Sequence, residues 1–140
     1  MASVELDVTD APREEDHRAV FEGLSAYNRP FIGAADRRKL CVFARDGGRV
    51  VGGLVGETAR RWLEVDLLWI DDDHRGGGLG RGLLEAAEAE ARARGCVGIR
   101  LETMDFQARP FYERHGYVLS GQVDDYMGGR TDFLMVKRLV

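Results

Sequence analysis

This chain is poor in several things. It has two cysteines, three prolines and three histidines in 140 residues. Cys41 and Cys96 lack the spacing of a metal site and sit among apolar neighbours, so both read as reduced, buried thiols rather than a disulfide framework. No apolar run approaches the roughly 18 residues needed to span a bilayer. The start, Met1-Ala2-Ser3-Val4-Glu5, has no basic region followed by an apolar stretch, so a cytoplasmic protein without a signal peptide is expected. Lysine occurs only at Lys39 and Lys137, and the net charge is −4. That balance argues against general nucleic-acid binding. His17, His74 and His115 have no triad or metal partner nearby in sequence and read as surface or packing residues.

What the chain does have is glycine, concentrated in one place. Five of the seven residues from Gly76 to Gly82 are glycine. They lie between a strand-like run, Trp62 to Ile70, and a helix-like run, Leu79 to Arg94. A glycine-rich turn opening a helix lets backbone N–H groups converge, and the helix adds about half a positive charge there. The combination predicts an anion site, most often for phosphate. A P-loop is excluded because Gly82 is followed by Leu83 and Leu84, not Lys and Ser or Thr. The dinucleotide fingerprint fails too: six-residue windows from Gly76 and Gly78 end on Arg81 and Leu83. Asp71, Asp72 and Asp73 are uncomfortable beside an anion and are expected to point outward.

Alternation at Val4, Leu6 and Val8 predicts a short strand. A helix follows from Arg13 to about Leu24, then a loop at Tyr27 to Gly33, with a second short helix through Asp36–Lys39. Strands are expected at Leu40–Arg45, Val50–Thr58 and Trp62–Ile70, the first two joined by a tight turn at Asp46-Gly47-Gly48. In the helix after the glycines, Leu83, Leu84, Ala87 and Ala91 face inward, and Glu85, Glu88, Glu90, Arg92 and Arg94 outward. Then come a strand at Gly98–Thr103, a helix at Phe106–His115, and strands at Tyr117–Gln122 and Phe133–Leu139, with a loop over Val123–Thr131. A single domain is predicted, of α/β (α+β) class. Its central sheet is mixed, mostly antiparallel and six- to seven-stranded, with helices on both faces.

The sequence Arg75-Gly76-Gly77-Gly78-Leu79-Gly80 has the form R-x-x-G-x-G and resembles the pyrophosphate loop of the GNAT superfamily, the acyl-CoA-dependent N-acyltransferases. A second stretch, Gln107-Ala108-Arg109-Pro110-Phe111-Tyr112-Glu113-Arg114-His115-Gly116-Tyr117, resembles the family's second signature: Ala, then Tyr four residues later, then Gly-Tyr. The element order matches as well, so the resemblance covers nearly the whole chain. It implies acetyl-CoA as the cofactor. It implies contacts from the strand at Leu68, Trp69 and Ile70, from Arg75, Gly76, Gly77, Gly78, Leu79, Gly80 and Arg81, and from Gln107 and Tyr112. Many members carry Asn seven residues before the Tyr; here the position is Asp105, and Gln107 is expected to take over the amide contact.

Acetyl transfer needs a neutral amine. Stripping a proton from an alkylamine of pKa near 10 at neutral pH costs on the order of 4 kcal/mol. Glu64 is the leading base and Asp66 the second candidate, two residues apart on one strand face. Tyr112 is assigned to protonate the departing thiolate, and a strand N–H to hold the oxyanion. Tyr27, Phe31, Trp62, Asp66 and Tyr126 are the candidate acceptor contacts, aromatic and acidic groups suited to a cation. The expected reaction is direct acetyl transfer to a primary amine of a small molecule. Two alternatives are a catalytically silent CoA-binding sensor and a peptide N-terminal or lysine acetyltransferase. No nucleic-acid, membrane or metal partner is expected. The resemblance makes a homodimer through the late strands a natural assembly.

Overall fold

The computed structural model describes residues 3–140. They fall into two compact units, the first ending at Ala35 and the second running from Asp36 to Val140.

In the first unit, Val4, Leu6 and Val8 are exposed and form no strand, contrary to the alternation. A period of two specifies a strand only where a neighbour pairs with its backbone, and none of the described residues does so here. One helix, α1 (Glu14–Ile32), replaces the expected helix from Arg13 to about Leu24 and the loop at Tyr27 to Gly33. It opens on Glu14, Glu15 and Asp16, which complement the positive helix end. Tyr27 and Phe31 face each other one turn apart, ring centroids 5.9 Å, and support the last turns. Pro30 sits within three residues of the C-terminus. It forfeits the bond to the carbonyl four residues earlier, yet the helix ends only at Gly33, whose left-handed backbone (φ 79°) donates to Arg29 O at 2.9 Å.

The second unit is a six-stranded sheet of β1 (Arg38–Asp46), β2 (Arg49–Ala59), β3 (Trp62–Ile70), β4 (Gly98–Met104), β5 (Val118–Tyr126) and β6 (Arg130–Arg138). The spatial order is β1-β2-β3-β4-β6-β5, and only β3 and β4 are parallel. A parallel pair needs a crossover, supplied by α2 (Leu79–Ala93). Leu83, Leu84, Ala87 and Ala91 of α2 are buried against Leu54, Leu63, Ile99 and Met135 of the sheet. A short helix, α3 (Arg109–Arg114), adds Tyr112 to the same core, with Pro110 harmless in its first turn. Among the described residues no helix is long and apolar enough to cross a membrane.

Four expectations change. Asp36–Lys39 is not helical; Arg38 already begins β1. Val123–Thr131 is not a long loop, because β5 and β6 extend into a hairpin closed by a tight turn at Met127–Gly129. Cys41 is exposed: Leu40 points into the core, so its neighbour faces the other way. Glu88 is buried rather than outward, and accepts a hydrogen bond from Lys137 of β6, which neutralises it. Cys96 is buried as expected, and burial raises its thiol pKa, which suits an inert core residue.

Candidate active site

The site begins with an irregularity in β3. Along the β2–β3 ladder, Gly56 pairs with Val65 but Val55 pairs with Leu67, so Asp66 is an extra residue without a partner. This is a β-bulge, and it bends the strand. Gly56 is required opposite it: a Cβ there would lie 2.6 Å from the carbonyl oxygen of Glu64. The pairing of β3 with β4 ends at the same level, at Val65↔Leu101. Beyond that point β3 keeps β2 as its neighbour but has no partner on the β4 side. The edge along Leu68, Trp69 and Ile70 therefore offers backbone groups to a ligand, apart from Ile70 O, which accepts from Arg75.

The gap opens into a cleft of about 1000 Å³. One wall is β3 from Asp66 to Ile70; the other is the end of β4 with α3, namely Glu102, Thr103, Phe106, Gln107, Phe111 and Tyr112. The glycine turn and the start of α2 close one end. Gly76 and Gly78 adopt left-handed backbone (φ 82° and 83°), which L side chains rarely adopt. A Cβ on Gly76, Gly77 or Gly78 would meet nothing within 4 Å, so the space above the turn is open. Among the described residues, the N–H groups of Gly76, Gly77 and Gly78 make no backbone hydrogen bond. The first N–H groups of α2 lack partners by helix geometry. Gly80 serves packing instead, since a Cβ would come within 3.0 Å of Ile70 and 3.1 Å of Phe111. Free donors, open space and a helix start fit a pyrophosphate, and the free strand edge fits an amide-bearing chain such as pantetheine. The cleft residues thus fit acetyl-CoA. Every residue expected to hold it lines the cleft except Gly77.

His74 holds the turn in place. Its Nδ1 lies 3.1 Å from Asp71 Oδ2 and its Nε2 3.2 Å from Asp46 Oδ2, on the β1–β2 turn. Asp71 first, then Asp46, raises the His74 pKa, while the hydrogen bond to His74 lowers that of Asp71. Asp71 therefore does not point outward as expected, and His74 is more than a surface residue. Asp72 does stay in solvent beside Arg75, at 3.3 Å. Arg75 donates through Nε to Ile70 O at 3.2 Å, which ties the turn to the end of β3.

Tyr112 lines the cleft and is otherwise buried, packed edge-on against Phe111 and Tyr117. Burial pushes its phenol up to about 12, so it remains protonated at neutral pH. Gln107 also lines the cleft, but its Oε1 accepts from Met104 N at 2.6 Å. Asp105 is outside the cleft lining and accepts from Arg130 Nε and Thr131 N, fastening the loop before α3 to β6.

Glu64 sits in a smaller groove of about 220 Å³ with Arg37, Glu57, Trp62 and Arg100. Asp66 lines both spaces. Trp62 is in the groove, stacked over Gly98, where a Cβ would fall 2.5 Å from the ring. Tyr126 lies at the end of β5 and lines neither space. Tyr27 and Phe31 are exposed on α1 of the first unit. Sequence reasoning missed Glu102 and Asp132. The alternation Ile99-Arg100-Leu101-Glu102-Thr103 was the available signal, since it puts Glu102 opposite the core-facing residues.

Residues 4–117 match the model of the acetyltransferase (GNAT) family. A blasticidin-S acetyltransferase of Streptomyces morookaense is 52% identical over 93 residues, 66% of this chain and 68% of that protein. An acetyltransferase of Agrobacterium fabrum is 41% identical over 133 residues, 94% of this chain and 95% of that one. A crystal structure of an acetyltransferase from Agrobacterium tumefaciens superposes with a TM-score of 0.86 at 38% identity, covering 96% of this chain and 99% of the other. With its bulged strand, splayed β3–β4 pair and glycine turn, the chain belongs to the GNAT family of acetyltransferases and is an acyltransferase.

Proposed function

We propose that this enzyme moves the acetyl group of acetyl-CoA to a primary amine of a small molecule by direct transfer. One observation carries the reading. A single cleft joins unpaired glycine-turn N–H groups at one end to a protonated, buried phenol beside carboxylates. Acetyl-CoA, when bound, supplies the activated thioester. The backbone of Gly76, Gly78 and Leu79 would hold its pyrophosphate, and the free edge of Leu68, Trp69 and Ile70 its amides. Tyr112 would give its proton toward the departing sulfur, being kept protonated by burial. Glu64 and Asp66 put negative charge where a cationic acceptor would approach. A relative of 52% identity is named for blasticidin S, so that compound heads the acceptor trials.

The test is thiol release from acetyl-CoA with blasticidin S, polyamines, aminoglycosides, amino acids and short peptides. Selective turnover of a small amine supports the reading. Turnover of peptides alone would make this a peptide acetyltransferase. Acetyl-CoA binding without turnover on any acceptor would point to a silent CoA-binding module.

A further inference from the structure

We propose that Glu102 is the general base of the transfer and that Asp132 is the residue positioning it. This assignment rests on the acetyl-transfer reading above.

Leu101 is the last β4 residue paired to β3, so Glu102 stands at the first level where the sheet is open. Leu101 and Thr103 are buried on the core side, which turns Glu102 to the opposite face. There it lines the same cleft as Tyr112, with Asp66 on the other wall. Glu64 does not line that cleft. On β6, Leu134 is the partner of Glu102 and Asp132 the partner of Met104, so Asp132 is the diagonal neighbour of Glu102 on one face. Asp132 is 7% exposed, and its carboxylate lies close enough to Glu102 to act on it.

The electrostatics agree. Glu102 is exposed as a residue at the open level of the sheet, but partial desolvation of its carboxyl group raises its pKa, and the neighbouring Asp132 carboxylate raises it further. Glu64 on β3 acts in the same direction, and Arg100 on β4 opposes it. Asp66 lines the opposite wall of the same cleft. A carboxylate with enhanced proton affinity is a better match for an ammonium than an ordinary one. In the step itself, the acceptor ammonium loses one proton to Glu102. The freed lone pair forms the C–N bond as the C–S bond breaks. The second nitrogen proton reaches the sulfur through the Tyr112 hydroxyl, which gives one proton and takes one back. Glu102 then returns its proton to solvent.

The experiment uses the full chain, acetyl-CoA, and whichever amine of the panel the wild type acetylates. Glu102→Gln should lower kcat about 10²-fold with acetyl-CoA affinity by calorimetry and thermal midpoint preserved. Added formate should partly restore turnover in Glu102→Ala. Wild-type kcat/KM should fall on the acid side as Glu102 takes up a proton. Asp132→Asn removes the like charge, so this limb should move to lower pH. Glu64→Gln should raise the acceptor KM and move the limb less than Asp132→Asn does, Glu64 being the weaker of the two like charges. Full kcat in Glu102→Gln would overturn the base assignment, and an unmoved limb in Asp132→Asn would overturn the positioning role. Should Glu102→Gln fail to fold, formate rescue and the Asp132→Asn limb decide. A wild type silent on every amine overturns the functional reading itself and this inference with it.

Discussion

Replacing Gly78 separates two roles that the glycine turn combines. Its backbone is left-handed, and a Cβ there meets no atom within 4 Å. Gly78→Ala therefore costs backbone strain alone, about 1–2 kcal/mol. That strain is present with or without ligand, so the thermal midpoint should fall while the acetyl-CoA Kd changes only a few-fold. Gly78→Asp carries the same strain and adds a carboxylate over the free N–H groups, where the pyrophosphate would bind. Two like charges about 5 Å apart, at an effective dielectric constant of about 20, repel by about 3 kcal/mol. At 1.4 kcal/mol per decade that is about 10²-fold in Kd beyond the alanine variant. Calorimetry of acetyl-CoA with both variants, at low and high salt, measures it. The gap between Asp and Ala should narrow as salt rises, because this exposed site is screened. Equal affinity of the two variants would place the pyrophosphate elsewhere and refute the reasoning.

Other outcomes follow from the same geometry. Tyr112→Phe should keep acetyl-CoA affinity and lower turnover about 10²-fold; unchanged turnover would remove the hydroxyl from the proton path. His74 has a raised pKa, so its bridge between Asp46 and Asp71 is fully present below the ordinary value of 6.5 and is lost as pH rises through the raised value. The thermal-midpoint advantage of wild type over His74→Gln should accordingly shrink with rising pH; a constant difference would mean that the bridge does not depend on the charge. Gly56→Ala forces a Cβ to 2.6 Å from the Glu64 carbonyl and should destabilise by about 1–3 kcal/mol in denaturant titration, with an unchanged midpoint refuting the tight approach at the bulge.

The sequence by itself determined a good deal. Gly76 to Gly82 reads as a backbone-rich turn at a helix start, and that turn was legible locally. The same holds for α2, whose Leu83, Leu84, Ala87 and Ala91 recur at helical spacing, and for β3, whose bounds match the apolar run. Tyr112 was legible because its motif is contiguous. Tertiary structure decided the rest. Alternation at Val4, Leu6 and Val8 matched a strand, but strand formation depends on a partner that local sequence does not contain. Glu88 looked like a solvent residue on a charged helix face until Lys137, 49 positions later, was brought against it. The bulge at Asp66 exists only in the pairing of β2 with β3, and there Asp66 lines both the groove it shares with Glu64 and the larger cleft. Glu102 and Asp132 are 30 residues apart in sequence and adjacent only across two strands. Local periodicity determines which face a residue occupies. Which other charges share that face, and hence which carboxylate can act as a base, is set by strand order and register.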